Sequence, residues 1–96
     1  MSRPKWPLHL YRVAGDSMLP VYLPGDALLG LRWFTARVGQ VIVALHGPRR
    51  IIKRITHIEG DSIWLEGDNP AYSTDSRHFG PLERSQIEAC IIARLR

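Results

Sequence analysis

Three stretches of this chain carry residue types that could act together in covalent chemistry. The first is Val13-Ala-Gly-Asp-Ser-Met-Leu-Pro20. Gly15 lets the chain turn tightly and approach a neighbouring strand. Ser17 would then stand at a strand end with its hydroxyl exposed and its backbone N–H free, and a free N–H beside a nucleophile is half of an oxyanion hole. On these residues alone, a serine that only caps a turn is the simpler reading. A serine hydroxyl is a weak nucleophile at neutral pH and needs a base. His9, His46, His57 and His78 fall in no recognisable triad pattern. Lys53 is the other option, because Ile51, Lys53 and Ile55 alternate with Ile52, Arg54 and Thr56. On a strand Lys53 therefore shares a face with two isoleucines. If that face points inward, burial lowers a lysine pKa of about 10.4 by roughly 3–5 units and makes a neutral amine available near pH 7. The alternative is an ammonium snorkelling out of a basic stretch, since Arg49, Arg50 and Arg54 lie close by.

The third stretch, Gly67-Asp-Asn-Pro-Ala-Tyr-Ser-Thr-Asp-Ser-Arg-His-Phe-Gly80, is polar and rich in turn formers. It suits a surface loop held by Asx turns. It also suits a shaped support, in which Asp75 and Arg77 form a fixed ion pair and Ser73 donates to or accepts from a neighbouring amine.

The elements that must position these residues are short. The 96 residues predict one domain. Pro4 and Pro7 mark residues 1–8 as an irregular arm, leaving 9–96 as the domain. Gly-Asp recurs at 15–16, 25–26, 60–61 and 67–68, which suits turns between strands rather than long helices. Strands are expected over residues 10–14, 27–34, 40–46, 49–58 and 62–66, followed by a long loop over 68–81. Residues 86–95 fit a helix through Ile87, Ile91 and Leu95 and a strand through Ile91-Ile92; strand is preferred. The fold class predicted is mainly β, a small coiled sheet or partial barrel.

Composition excludes several classes. Apolar residues at 45% and charged residues at 23% suit a folded chain. A net charge of +4 permits contact with nucleic acid without arguing for it. Arg49, Arg50 and Arg54 with Trp33 or Trp64 could make a basic nucleic-acid-binding β surface, but no known binding motif is present. Cys90 is the single cysteine, so no internal disulfide forms, which fits a reducing compartment. The longest stretch without a charged residue, Val38 to Pro48, is too short to span a membrane. No signal peptide is recognisable. A cytoplasmic chain without metal or other cofactor is expected. Trp6, Trp33 and Trp64 are expected as core or rim aromatics, and Cys90 as a small buried apolar residue.

Together the three stretches resemble the type I signal peptidase family of Ser-Lys proteases, whose catalytic core is shared by self-cleaving repressor domains. The Ser-Met-x-Pro box is matched by Ser17-Met18-Leu19-Pro20, with Pro24-Gly25-Asp26 following. The Lys-Arg strand running into Gly-Asp is matched by Lys53-Arg54 and Gly60-Asp61. The third box is matched by Gly67-Asp68-Asn69, Ser73, Asp75-Ser76-Arg77 and Gly80. The resemblance implies Ser17 as nucleophile, Lys53 as neutral general base and the Ser17 N–H in the oxyanion hole, with Gly15 and Asp16 flanking it. It further implies that Ser73 hydrogen-bonds the Lys53 amine and that Asp75 and Arg77 support the site. Some members carry a serine two residues before the nucleophile, whose hydroxyl completes the oxyanion hole. Gly15 stands there instead, and losing one such donor costs other hydrolases about 10²–10³ in rate.

The absence of a membrane anchor and of a large insertion between the second and third boxes is more similar to a small soluble branch, the nickel-type superoxide dismutase maturation proteases. That implies a polypeptide precursor as partner and removal of its short N-terminal extension, with Val21 and Leu23 as plausible walls of the substrate pockets. The alternatives are an inactive peptide-binding module of the same fold and the basic nucleic-acid-binding domain.

Overall fold

Val41-Ile-Val-Ala-Leu-His46 is a nearly continuous apolar run, the kind that suits a strand covered on both faces. The computed structural model, which describes residues 6–96, places β3, Val41–His46, in that position, with its first four residues buried. Side chains alternate across a strand. Val41 and Val43 therefore pack with Val13, Met18, Leu28, Ala89 and Ile91, while Ile42 and Ala44 pack with Ile55, Ile63, Leu65, Leu82 and Cys90.

The other strands are β1 Leu8–Arg12, β2 Ala27–Leu31, β4 Arg49–Glu59, β5 Ser62–Glu66, β6 Leu82–Glu83 and β7 Ile87–Arg94. They form one open sheet in the order β1-β2-β7-β3-β4-β5-β6. Each neighbouring pair is antiparallel. Direction reverses at each step, so β1 and β4 run the same way. The stretches leading to Ser17 and to Lys53 thus begin at the same end of the sheet. The mainly β expectation holds.

Several boundaries differ from expectation. The predicted arm falls partly on residues 1–5, which lie outside the described residues, and Leu8 already belongs to β1. Arg32 fastens the entry to β1 through bonds from Nε and Nη2 to the Trp6 carbonyl at 2.9 and 2.6 Å. β2 ends at Leu31 rather than reaching Phe34. The expected loop over 68–81 contains a 3-10 turn, Pro70–Tyr72, and a one-turn helix α1, Ser76–Phe79. Asp75 starts α1 because its carboxylate accepts from the Arg77 N–H while the His78 ring accepts from its own N–H. β7 overrides the helical spacing of Ile87, Ile91 and Leu95 because it lies between β2 and β3. There Ala89, Cys90 and Ile91 are buried on alternating faces, which a helix-period pattern does not announce. No helix among the described residues is long and apolar enough to cross a membrane.

Candidate active site

The turn carrying Ser17 hangs between β1 and β2. Val13 N–H donates to the Asp26 carbonyl at 2.9 Å, and Gly25 N–H donates to the Val13 carbonyl at 2.8 Å, closing the base of the turn. Met18, next to Ser17, is 1% exposed and anchors the turn in the first core cluster. Ser17 itself stays half-buried at a cleft. Its carbonyl accepts from the Asn69 N–H at 2.8 Å, and its own N–H has no acceptor among the described residues. Gly15 adopts φ +77, a region in which an L side chain is strained, although nothing crowds the position within 4 Å. A serine placed there for its hydroxyl would need a different backbone.

Lys53 lies on β4 opposite Ile42 and is 6% exposed. Burial pushes its ammonium below the ordinary lysine value of 10.5; the Asp75 carboxylate opposes this and the Arg77 charge adds to it. The Lys53 side chain makes no hydrogen bond to and no ion pair with another side chain or carbonyl among the described residues. It lines the same cleft as Ser17, a cavity of about 590 Å³ walled by β1, β4 and the loop around Tyr72 and Thr74.

The expected bond from Ser73 to Lys53 is not formed. The Ser73 hydroxyl donates to Asp75 Oδ2 at 2.5 Å instead. An ionised carboxylate is a stronger acceptor than an amine. The hydroxyl proton therefore goes to Asp75, which leaves the Ser73 oxygen lone pairs as acceptors.

The rest of the third stretch is built around that carboxylate. Asp75 is fully buried and also accepts from Gly67 N–H at 2.8 Å, Arg77 Nε at 2.9 Å and Arg77 Nη2 at 2.6 Å. Burial alone would raise its pKa. The Arg77, Ser73 and Gly67 donors outweigh that and hold the carboxyl well below the usual range. Ser76 Oγ accepts from Leu65 N–H at 2.8 Å, tying α1 to β5. Asp68 takes Arg54 in a fork, with Nε and Nη2 each at 2.8 Å, beside Lys53 on β4. Asn69 adds a side-chain bond to the Asp16 carbonyl at 3.0 Å. The loop thus grips the Ser17 turn, the Lys53 strand and β5.

Gly67 sits where these meet. A Cβ there would lie 2.7 Å from the Ser17 carbonyl oxygen and would collide with the Ser73 side chain. Gly67→Ala is therefore expected to cost about 1–3 kcal/mol and to displace the Ser17 turn. Urea unfolding and a peptidase assay check both; a neutral result would mean that the loop yields freely.

Sequence reasoning missed a brace across the cleft floor. The Tyr11 hydroxyl donates to Glu88, which also holds Arg50 Nε at 2.9 Å. The Tyr11 ring lies so close over Gly30 that a Cβ there would sit 2.6 Å from it. Glu88 stands far along the chain from both partners, and no local pattern marks it. Val21 and Leu23, considered as pocket walls, are 41% and 51% exposed and do not line the cleft, because they follow the turn away from β4. Trp6 is 68% exposed, whereas Cys90 is buried as expected.

The Peptidase S24-like family model matches residues 3–92. The chain is 33% identical over 114 aligned positions to mitochondrial ATP-independent inner membrane protease subunit 1a of Arabidopsis thaliana, covering 86% of this chain and 67% of that protein. It is 40% identical over 53 positions to mitochondrial inner membrane protease subunit 1 of Xenopus tropicalis, covering 55% of this chain and 32% of that protein. By the extent of the family match and the likeness to these protease subunits, the chain belongs to the Peptidase S24-like family, among its type I signal-peptidase-like members.

Proposed function

We propose that the chain is a serine endopeptidase working by a Ser17–Lys53 dyad. The observation that carries this is the buried Lys53 amine, without a charge partner among the described residues, in the same cleft as Ser17. Neutral Lys53 takes the Ser17 proton as Oγ attacks the scissile carbonyl, and the resulting ammonium protonates the leaving amine. A water, deprotonated by the same amine, then attacks the ester carbonyl, and Ser17 leaves with the proton returned to it. The Ser17 N–H supports the oxyanion, with Gly15 offering no side-chain donor. Among the described residues β1 pairs only with β2, so its outer edge offers backbone groups to an extended substrate. Family resemblance implies small residues at the cut.

The proposed substrate is a precursor with a short N-terminal extension, and the narrower candidate is the nickel superoxide dismutase precursor. Support for it is the tight Gly60-Asp61 turn from β4 to β5, with β5 leading directly into the third stretch in place of a large insertion. The proposed setting is the cytoplasm, which the free Cys90 thiol suits. The nucleic-acid reading is weaker, since Arg50 and Arg54 are held by Glu88 and Asp68.

The test incubates the protein with that precursor and with a pool of signal-peptide sequences and reads the products by mass spectrometry. A single cut before the mature dismutase N-terminus, lost in Ser17→Ala, is expected. Cleavage of signal peptides alone would remove the dismutase, and binding of both without cleavage would favour the inactive peptide-binding module.

A further inference from the structure

The charges around the cleft are unbalanced. Arg12, Arg49, Arg50 and Lys53 line it, and Asp16 is the single acidic residue that does. Arg50 is neutralised by Glu88 at 2.9 Å. Arg12 gives one N–H to the Gly25 carbonyl at 2.7 Å, which leaves its charge uncompensated. Arg49 is exposed and has no carboxylate within ion-pair distance among the described residues. Two arginine charges are therefore open to a ligand, one from each wall, since Arg12 ends β1 and Arg49 opens β4. Followed across the sheet, the register joins Lys53 to Ile42, Cys90, Leu31 and Leu8, so Arg49 lies before that row on β4 and Arg12 lies past it on β1. Arg49 is four positions before Lys53 along β4, roughly 13 Å on an extended strand.

We infer that the cleft selects acidic peptides, with Arg49 and Arg12 each taking a carboxylate side chain, one on either side of the scissile bond. The inference deepens the peptidase reading and relies on it only to locate the bond. Binding requires no cutting. A polynucleotide would also be drawn to the arginines, but the free edge of β1 is suited to pairing with a peptide backbone.

The probe is a set of rhodamine-labelled dodecapeptides with a central Ala-Ala and a single Glu, Gln or Lys stepped along the other positions. Fluorescence anisotropy with the Ser17→Ala protein reads affinity. At one position on each side of the Ala-Ala, Glu is expected to bind about two- to fivefold more tightly than Gln, in line with one partly exposed charge pair, and Lys more weakly. Arg49→Glu should reverse the order on one side, while Arg37→Glu, an equal charge change outside the cleft, should reverse it on neither. Equal affinity for all peptides, no binding at all, or the same response to both variants would overturn the proposal. Displacement of the Glu peptide by a single-stranded DNA oligonucleotide that binds more tightly would reassign the cleft to nucleic acid. Cleavage by the parent protein is scored separately. An acid preference without any cleavage keeps this inference and removes the peptidase.

Discussion

Lys53→Met is expected to fold more stably than the parent and to cut nothing. The substitution keeps the length of an apolar stem and removes an amine whose charged form is disfavoured by burial. Relieving that penalty should raise the thermal midpoint, by about 4–8 °C for each kcal/mol gained in a domain of this size. Peptidase activity should fall by about 10⁴ or more, the scale on which general bases and coupled dyads act. A loss of activity with loss of stability would mark Lys53 as a structural residue. Undiminished activity would remove it as the base.

The sign of the pH dependence follows from the same amine. Burial lowers the folded-state pKa of Lys53 below its ordinary 10.5. Between those two values the unfolded chain binds more protons than the folded one, so stability rises with pH across that window. Below the window the folded parent carries a buried ammonium, and the gain from Lys53→Met is largest there. The parent's kcat/KM should rise with pH through an inflection below 10.5, since only the neutral amine accepts the Ser17 proton.

Asp75→Asn is expected to be the most destabilising single change around the site, by about 3–5 kcal/mol, the cost of breaking a buried ion pair from one side. Every group facing the Asp75 oxygens is a donor: Ser73 Oγ, Gly67 N–H and the Arg77 guanidinium. An amide turns one of its own donors toward them and leaves Arg77 with Glu66, at 3.7 Å, as its remaining carboxylate. Urea unfolding should show a lower midpoint with an unchanged slope. Activity should fall with it, because Gly67, held by Asp75, lies against the Ser17 carbonyl and Asn69 N–H donates to that carbonyl.

The Asp75 carboxyl is held below its ordinary 3.8, so its contribution is complete above that pH and disappears as pH falls below it. Asp75→Asn should flatten the acid limb of the stability curve. A penalty under about 1 kcal/mol would mean that solvent replaces the donors.

Much of this site is legible because its parts are local. The Lys53 alternation sets its side chain on a face with two isoleucines and leaves burial and snorkelling both open, and on β4 the side chain is buried. The Asp75–Arg77 pair spans two residues, close enough to propose from spacing, and the two side chains meet at 2.6 Å. What spacing cannot supply is competition between acceptors. Ser73 could serve Lys53 or Asp75, and the choice turns on which of them is charged. Nor does spacing reveal long-range partners such as Glu88 for Tyr11. β1 begins earlier than its apolar pattern suggests because an edge strand with exposed Leu8 and Leu10 is defined by pairing to β2 rather than by burial. Residues 86–95 stayed ambiguous for the opposite reason, since a strand covered on both faces loses its alternation.

β7 has a bearing on when the molecule can act. The turn with Ser17 belongs to the β1–β2 hairpin, and Lys53 belongs to the block from β3 to β6. Among the described residues, β7 alone pairs with a strand of each. It is also the last of the seven strands to leave the ribosome. A nascent chain that has already exposed both Ser17 and Lys53 still holds them on two unjoined pieces of sheet. Vectorial synthesis therefore delivers after both dyad residues the strand that brings the two pieces into register, and it separates translation of the dyad from assembly of the cleft.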